Sequence, residues 1–289
     1  MKFFRGIVDL LRGAAIGVAE TIPGVSGGTV ALIVGVYQTL IGAMSSAVRA
    51  VLSLGTPSAA KRQWKSLPWG RLLPLAIGMV SAIVVAAQFI EPLLEGYPEL
   101  TRAAFFGMIL ASVAVPLRMA GLPMRPGEGL LIVLVAGGVF TALGMPVSDT
   151  DNPAWWVVML SAAVAVCALV LPGVSGSFLL LTLGLYDDTI GAVNDRDFAY
   201  LGLFFAGALI GVSSFVLLLQ WLLDNVRRLT LIVMTGLLLG SLRALWPWQG
   251  AERELLAAAD QVGAAIGVGL AGAAVVLLLM GLERVVRGR

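Results

Sequence analysis

Charged residues cut the chain into apolar stretches, and the lengths of those stretches predict its elements. Residues 72–90, 103–117, 129–148, 198–223 and 261–282 carry no charge apart from chain-end neighbours, and 229–248 is interrupted only by Arg243. A helix crossing the hydrocarbon core needs about 20 apolar residues, fewer when its ends snorkel. Six spans follow, over about 72–90, 101–117, 129–148, 198–223, 229–247 and 261–282. Two further stretches do not fit that length. Residues 13–48 hold one acidic residue, Glu20, and 152–186 hold none. Each is long for one crossing and short for two. Each also contains a helix-breaking tip, Pro23-Gly24-Val25-Ser26-Gly27-Gly28 in the first and Pro172-Gly173-Val174-Ser175-Gly176-Ser177 in the second. Proline removes a backbone donor and glycine loosens the chain, so neither stretch reads as one regular helix. The pattern predicts helical hairpins over 13–48 and 152–190 that dip into the bilayer and return. Irregular backbone at that depth needs protein or a polar cavity around it.

The two tips match each other without gaps at an offset of 149 residues. Pro-Gly-Val-Ser-Gly recurs, then Gly35 with Gly184, Tyr37 with Tyr186, and Ile41-Gly42-Ala43 with Ile190-Gly191-Ala192. A fainter echo pairs Leu100, Thr101, Gly107 and Ser112 with Leu229, Thr230, Gly236 and Ser241. The chain therefore reads as an internal duplication, repeat 1 over 13–148 and repeat 2 over 149–289, each a hairpin followed by three spans.

Lys and Arg placement sets the expected orientation. Lys2, Arg5 and Arg12 precede the first hairpin, and Arg49, Lys61, Arg62, Lys65 and Arg71 follow it, so both flanks belong in the cytoplasm. Arg118 and Arg125, then Arg227 and Arg228, and finally Arg284, Arg287 and Arg289 return to that side. Three spans per half is an odd number, which makes the halves antiparallel. The expected class is an all-α polytopic membrane protein with an inverted-topology repeat, its two hairpins entering from opposite faces and both termini cytoplasmic. Residues 1–12, with Phe3, Phe4, Ile7, Leu10 and Leu11 opposite Arg5, Asp9 and Arg12, read as an interfacial amphipathic helix and not as a signal peptide.

Composition narrows the chemistry. The chain of 289 residues is 59% hydrophobic and 12% charged, about half the charge of an ordinary soluble domain. It has no histidine and a single cysteine, Cys167, which leaves no imidazole shuttle, His-dependent nucleophile, disulfide or Cys cluster. A net charge of +2 without a basic block gives no footprint for nucleic acid. No metal and no cofactor is called for, and nothing in the residues opposes a homo-oligomer.

What remains is a site made of backbone, hydroxyls and a few charges. Inverted repeats with broken helices place transport sites where the repeats meet. At each tip a helix restarts, so N–H groups and a positive dipole end face the break. Ser26, Gly27, Gly28 and Thr29, with Ser175, Gly176 and Ser177, supply donors and close backbone approach suited to an anion. Pro23, Gly24, Pro172 and Gly173 make the breaks. Glu20, an ionisable group inside an apolar hairpin, is a proton-coupling candidate, against the plain reading of a side chain snorkelling to the interface. Arg102, Arg118 and Arg243 stand near span ends, where each either attracts an anionic headgroup or anchors a helix. Gly207-x-x-x-Gly211, Gly236-x-x-x-Gly240 and Gly263-x-x-x-Gly267 read as packing faces, and Trp155, Trp156, Trp246 and Trp248 as an outer aromatic belt.

The run Gly17-Val-Ala-Glu20-Thr-Ile-Pro23-Gly-Val-Ser26-Gly-Gly-Thr29, then Gly35-Val-Tyr37, with the second tip and Gly184-Leu-Tyr186, resembles the polyprenyl-phosphate transporter family of the PopT type, long filed as a domain of unknown function. The second tip is the looser match, with Ser177-Phe178 where the first has Gly28-Thr29. The resemblance implies a flippase of the bacterial cytoplasmic membrane. It would return undecaprenyl phosphate, the carrier lipid of cell-wall precursors, from the outer to the inner leaflet. Two other readings compete. One is an undecaprenyl-pyrophosphate phosphatase, whose Pro-Gly-x-Ser-Arg-Ser motif the tip resembles, although Gly27 and Gly176 stand where its arginine would be. The other is a carrier or channel for small anions.

Overall fold

A computed structural model describes residues 2–21, 26–53, 55–121, 123–145, 153–172, 176, 179–180, 183–250, 254–259 and 261–287, and these are helical apart from turns and one isolated bridge between Gln249 and Leu255. The first hairpin stretch holds α1 (Lys2–Glu20), α2 (Gly27–Ile33) and α3 (Tyr37–Leu52). Residues 2–12 and 13–20 share one unbroken helix, so the amphipathic segment is the outer part of the hairpin's first arm. There follow α4 (Pro57–Ser66), α5 (Trp69–Gly96), α6 (Pro98–Ser112), α7 (Ala114–Ala120) and α8 (Glu128–Ala142). The second half contains α9 (Trp155–Val170), α10 (Tyr186–Asn194), α11 (Phe198–Asn225), α12 (Arg227–Ser241) with a 3-10 turn over Leu242–Leu245, and α13 (Val262–Arg287).

Among the described residues four segments are long and apolar enough to cross a membrane: Trp69–Ala86, Pro98–Ala120, Phe198–Asn225 and Arg227–Leu245. Glu128–Ala142, Trp155–Val170 and Val262–Leu278 are apolar but shorter. On α5, Leu73, Ile77, Val80 and Val84 lie on the exposed side at helical spacing. A stripe of that kind is at home against lipid and costly in water.

Packing fixes the helix directions. Asp9 lies under Arg71, Gly13 against the backbone of Leu75, and Gly17 against Met79, a constant spacing of 62 residues along α1 and α5. The two helices therefore run parallel. Gly207 against Met159 and Gly211 against Ala163 make α11 and α9 parallel in the same way. In both halves the chain between the paired helices thus returns to the end from which it left. The remaining helices pair crosswise. Gly107 and Gly272 bring α6 and α13 into backbone contact, and Gly236 and Gly240 do so for α12 and α8. Gly263 and Gly267 face open space, so the packing face expected there sits instead at Gly269 and Gly272, on the side of α13 turned toward α6.

Asp9 is the one charged residue among the buried described positions, 3% exposed. Its carboxylate accepts from Arg12 Nη1 at 3.2 Å and Arg71 Nε at 3.2 Å. Arg71 also donates to the Thr39 hydroxyl at 3.4 Å, tying α1, α5 and α3 at one end. A buried carboxylate is tolerated because both its oxygens are satisfied.

Residues that repeat in sequence do the same local work. Gly35 and Gly184 both stand at φ 72°, a left-handed conformation that a side chain opposes. Around the first, the Val36 N–H reaches back to the Ala31 carbonyl at 2.9 Å, and around the second, Leu185 reaches Leu180 at 2.9 Å. This is the Schellman ending of a helix, made twice. Ser112 donates to the Ile109 carbonyl at 2.7 Å and Ser241 to Leu238 at 2.8 Å, both buried. Thr101 and Thr230 likewise bond to Tyr97 and Val226. Val30 to Ile33, Val36, Tyr37 and Ile41 lie at the centre of the main core, against Val170, Leu219, Leu238 and Val276. The restart of the first hairpin is therefore the middle of the molecule.

Candidate functional site

The first tip ends at Ser26, which is 1% exposed and precedes α2 in extended conformation. Its hydroxyl donates to the Leu171 carbonyl at 3.0 Å, at the start of the second tip. The Tyr37 hydroxyl donates to the neighbouring Val170 carbonyl at 3.1 Å. Those carbonyls belong to the last turn of α9, whose C-terminal acceptors lack partners in their own helix. A side chain at Gly28 would stand 3.1 Å from the Val170 carbonyl oxygen, which would have to give by a few tenths of an ångström. Thr29 is fully enclosed and Pro172 is buried beside this contact. Gly176, also buried, rests on the backbone of Ala165 in α9.

The hydroxyl of Ser26, a candidate donor to a ligand, is engaged on the Leu171 carbonyl. A serine has a single O–H to give, so it cannot serve both at once. The N–H of Gly27 is also engaged, by the carboxylate of Glu20 folding back from the end of α1. Glu20 is exposed from the protein at this point, and among the described residues no cation pairs with it. Pro23, Gly24, Gly173, Ser175 and Ser177 lie outside the described residues. Among those described, no group of three acidic or Cys side chains could hold a metal ion.

The three arginines do not converge. Arg118 is exposed at the end of α7. Arg102 is half-buried at the start of α6, where Nη1 stands 3.5 Å from the Pro247 carbonyl. Arg243 lies at that same end, its guanidinium 4.7 Å from the centre of the Phe140 ring and flat against Gly144, both from the C-terminal end of α8. The opposite end is held by Glu128 and Arg228, at the heads of α8 and α12, with Nε to Oε1 at 2.6 Å. Arg228 also reaches the Ala120 and Pro123 carbonyls at 3.3 and 2.9 Å. The guanidinium holds the Glu128 carboxyl down to about 2.

Trp246 and Trp248 depart from the belt expected of them. Trp248 is 9% exposed, and Trp246 stands edge-on to both Trp248 and Phe106, with centroids 5.5 and 6.1 Å apart. Trp155 and Trp156 remain outside. Sequence reading also missed Tyr37, the carbonyls of Val170 and Leu171, and Asp9. The recurrence of Tyr37 as Tyr186 was the one available signal.

Apolar helices with exposed hydrophobic faces define an α-helical membrane protein. The chain belongs to the undecaprenyl phosphate translocase-like family, whose pattern it matches over residues 16–263. It is 37% identical over 250 residues to the polyprenyl-phosphate transporter of Vibrio cholerae, covering 86% of this chain and 80% of that protein. It is 27% identical over 263 residues to the polyprenyl-phosphate transporter of Staphylococcus aureus, covering 86% of this chain and 88% of that one. No solved structure matches.

Proposed function

We propose that the protein carries a polyprenyl phosphate, undecaprenyl phosphate above all, from the outer to the inner leaflet of the bacterial cytoplasmic membrane. The observation that carries this reading is the contact between the start of α2 and α3 and the end of α9, Ser26 on Leu171 and Tyr37 on Val170. The names of the relatives support the substrate class. The chemistry supports a protein path: a bare phosphate charge in hydrocarbon costs tens of kcal/mol by Born estimates, whereas the isoprenoid tail can stay in lipid.

In this reading the two halves form an inverted-topology repeat with re-entrant hairpins, supported by the parallel pairs α1–α5 and α9–α11 and the crosswise pairs α6–α13 and α8–α12. The residues proposed to bind the headgroup are Ser26, Gly27, Gly28 and Thr29 from the first tip and Ser175, Gly176 and Ser177 from the second. With the tips closed, the carbonyl of Leu171 and the carboxylate of Glu20 occupy donors that phosphate oxygens would take when the tips part. Phosphate and the Glu20 carboxylate repel each other at one N–H, so a proton on Glu20 eases the exchange and couples transport to pH. The test is leaflet-resolved movement of undecaprenyl phosphate in vesicles holding the purified protein, with and without a pH gradient. Protein-dependent loss of the lipid from one leaflet is expected. A rate equal to protein-free vesicles overturns the reading, and release of phosphate from undecaprenyl pyrophosphate replaces it with the phosphatase.

A further inference from the structure

Arg243 has a buried Nε that no acceptor satisfies. Among the described residues no carboxylate pairs with its guanidinium. An arginine in that condition inside an apolar bundle calls for an explanation, since buried polar groups are nearly always bonded and charges at membrane depth are costly. The ring of Phe140 and the bare face of Gly144 fix the guanidinium from the side of α8. Its other side opens into a cavity of about 420 Å³ walled by Phe106, Leu242, Trp246 and Leu256. The cation is thus held in place, and no carboxylate among the described residues neutralises it.

A second cavity of about 400 Å³ begins on the far side of the same two rings, Phe106 and Trp246. It follows the seam between α6 and α13 past Gly107, Leu110, Ile266 and Ala273 and is almost wholly apolar. Ile266 and Leu270, which form its outer wall, are themselves exposed on the flank of the bundle, so the slot opens sideways. Both helices of the seam also touch α2, the helix that follows Ser26. The indole N–H of Trp246 is satisfied by the Leu256 carbonyl at 3.0 Å, so this ring turns no polar group toward either chamber.

We propose that these two chambers form a loading site for one amphiphile, a polyprenyl phosphate, with the phosphate on Arg243 and the first isoprenoid units in the α6–α13 slot. The site rests on the transporter reading and lies apart from the tips, at the end the charge pattern assigns to the outside. A guanidinium with no carboxylate partner among the described residues, beside a sideways-open apolar slot, is complementary to an anionic head on a hydrocarbon tail. Inorganic phosphate would leave the slot empty, and an uncharged prenol would leave Arg243 unpaired. The guanidinium fork suits phosphate oxygens.

The experiment is equilibrium binding of radiolabelled farnesyl phosphate to the purified protein in detergent, with farnesol, inorganic phosphate and phosphatidylglycerol as competitors. Arg243→Ala should weaken farnesyl phosphate by about tenfold or more, the loss expected of a charged hydrogen bond, and leave farnesol unchanged. Gly144→Ala places a methyl where the guanidinium lies, touches no ligand and should weaken the phosphate alone. Ala273→Phe fills the slot and should weaken both ligands. Arg243→Ala and Gly144→Ala binding within about twofold of wild type, while Ser175→Ala loses it, would overturn the site and leave the transporter reading standing. Displacement by inorganic phosphate or phosphatidylglycerol as effective as by farnesyl phosphate would overturn its selectivity for this lipid. Absence of binding to the wild-type protein would overturn both the site and the reading it rests on.

Discussion

The hydroxyl of Ser26 and the carbonyl of Leu171, 145 residues apart in the chain, meet at 3.0 Å in the centre of the molecule. One is the last residue before a helix restarts, the other the residue at which a helix has just ended. The hydroxyl satisfies a carbonyl that the ending helix leaves open. The donor in this contact is one that a phosphate oxygen could also take.

Removing this contact should be measurable without substrate. Ser26→Ala leaves the Leu171 carbonyl unpaired and should lower stability by about 1–3 kcal/mol, and Tyr37→Phe by about 1 kcal/mol. Because the two acceptors are adjacent, the double variant should fall short of additivity by about 0.5 kcal/mol or more in thermal unfolding. Additive losses would mean that the two bonds are independent. In vesicles, Ser26→Ala and Ser175→Ala should slow lipid-phosphate transport at unchanged expression, and wild-type rates in both would remove the tips from the mechanism.

Glu20 sits where a proton could exchange with the substrate's charge. Glu20→Gln keeps the shape and the acceptor oxygen but cannot lose a proton. Its transport rate should be flat with pH where the wild type varies. A wild-type pH profile in the variant would assign the proton elsewhere.

The brace between Glu128 and Arg228 predicts a sign. Arg228, followed by the Arg125 N–H, holds the Glu128 carboxyl at about 2 against an ordinary 4.5. A lowered value stabilises the fold above the ordinary carboxyl range, and that contribution is lost as pH falls toward the lowered one. Glu128→Gln should therefore unfold at lower temperature than wild type at about pH 7, and the gap should narrow by about pH 3. A gap that widens on acidification would contradict the pairing.

Orientation can be read by labelling. In a Cys167→Ser background, a cysteine at Asp187→Cys should react with an impermeant maleimide added to intact cells. Reaction only after the membrane is opened would place the second hairpin's flank in the cytoplasm and undo the inverted arrangement.

Much of the helical plan was legible because lipid-length runs without charge leave little choice of structure. The recurrence of Gly35 as Gly184 was legible because both answer a backbone demand that only glycine meets easily. What stayed hidden depended on distant backbone. Nothing in the letters around Ser26 says that its acceptor is the carbonyl of Leu171, since every residue has one. Arg243 reads as a helix anchor until Phe140 and Gly144, from the other half, are seen to hold it. Trp246 and Trp248 had the composition of an interface belt, and the short turn at Leu242–Leu245 directs them inward. Gly263 and Gly267 carried the spacing of a packing face without a partner opposite, because α6 meets α13 further along.

The crosswise seams also limit what can move. α6 belongs to the first half and is bound along glycines to α13 of the second, while α8 is bound in the same way to α12. Pulling the halves apart as units would tear both seams. What stays joined is then α1 to α5, through Asp9 and its glycines, and α9 to α11. Both pairs stand beside a framework that neither half builds alone, so no single cut in the sequence would part the molecule into two self-sufficient pieces.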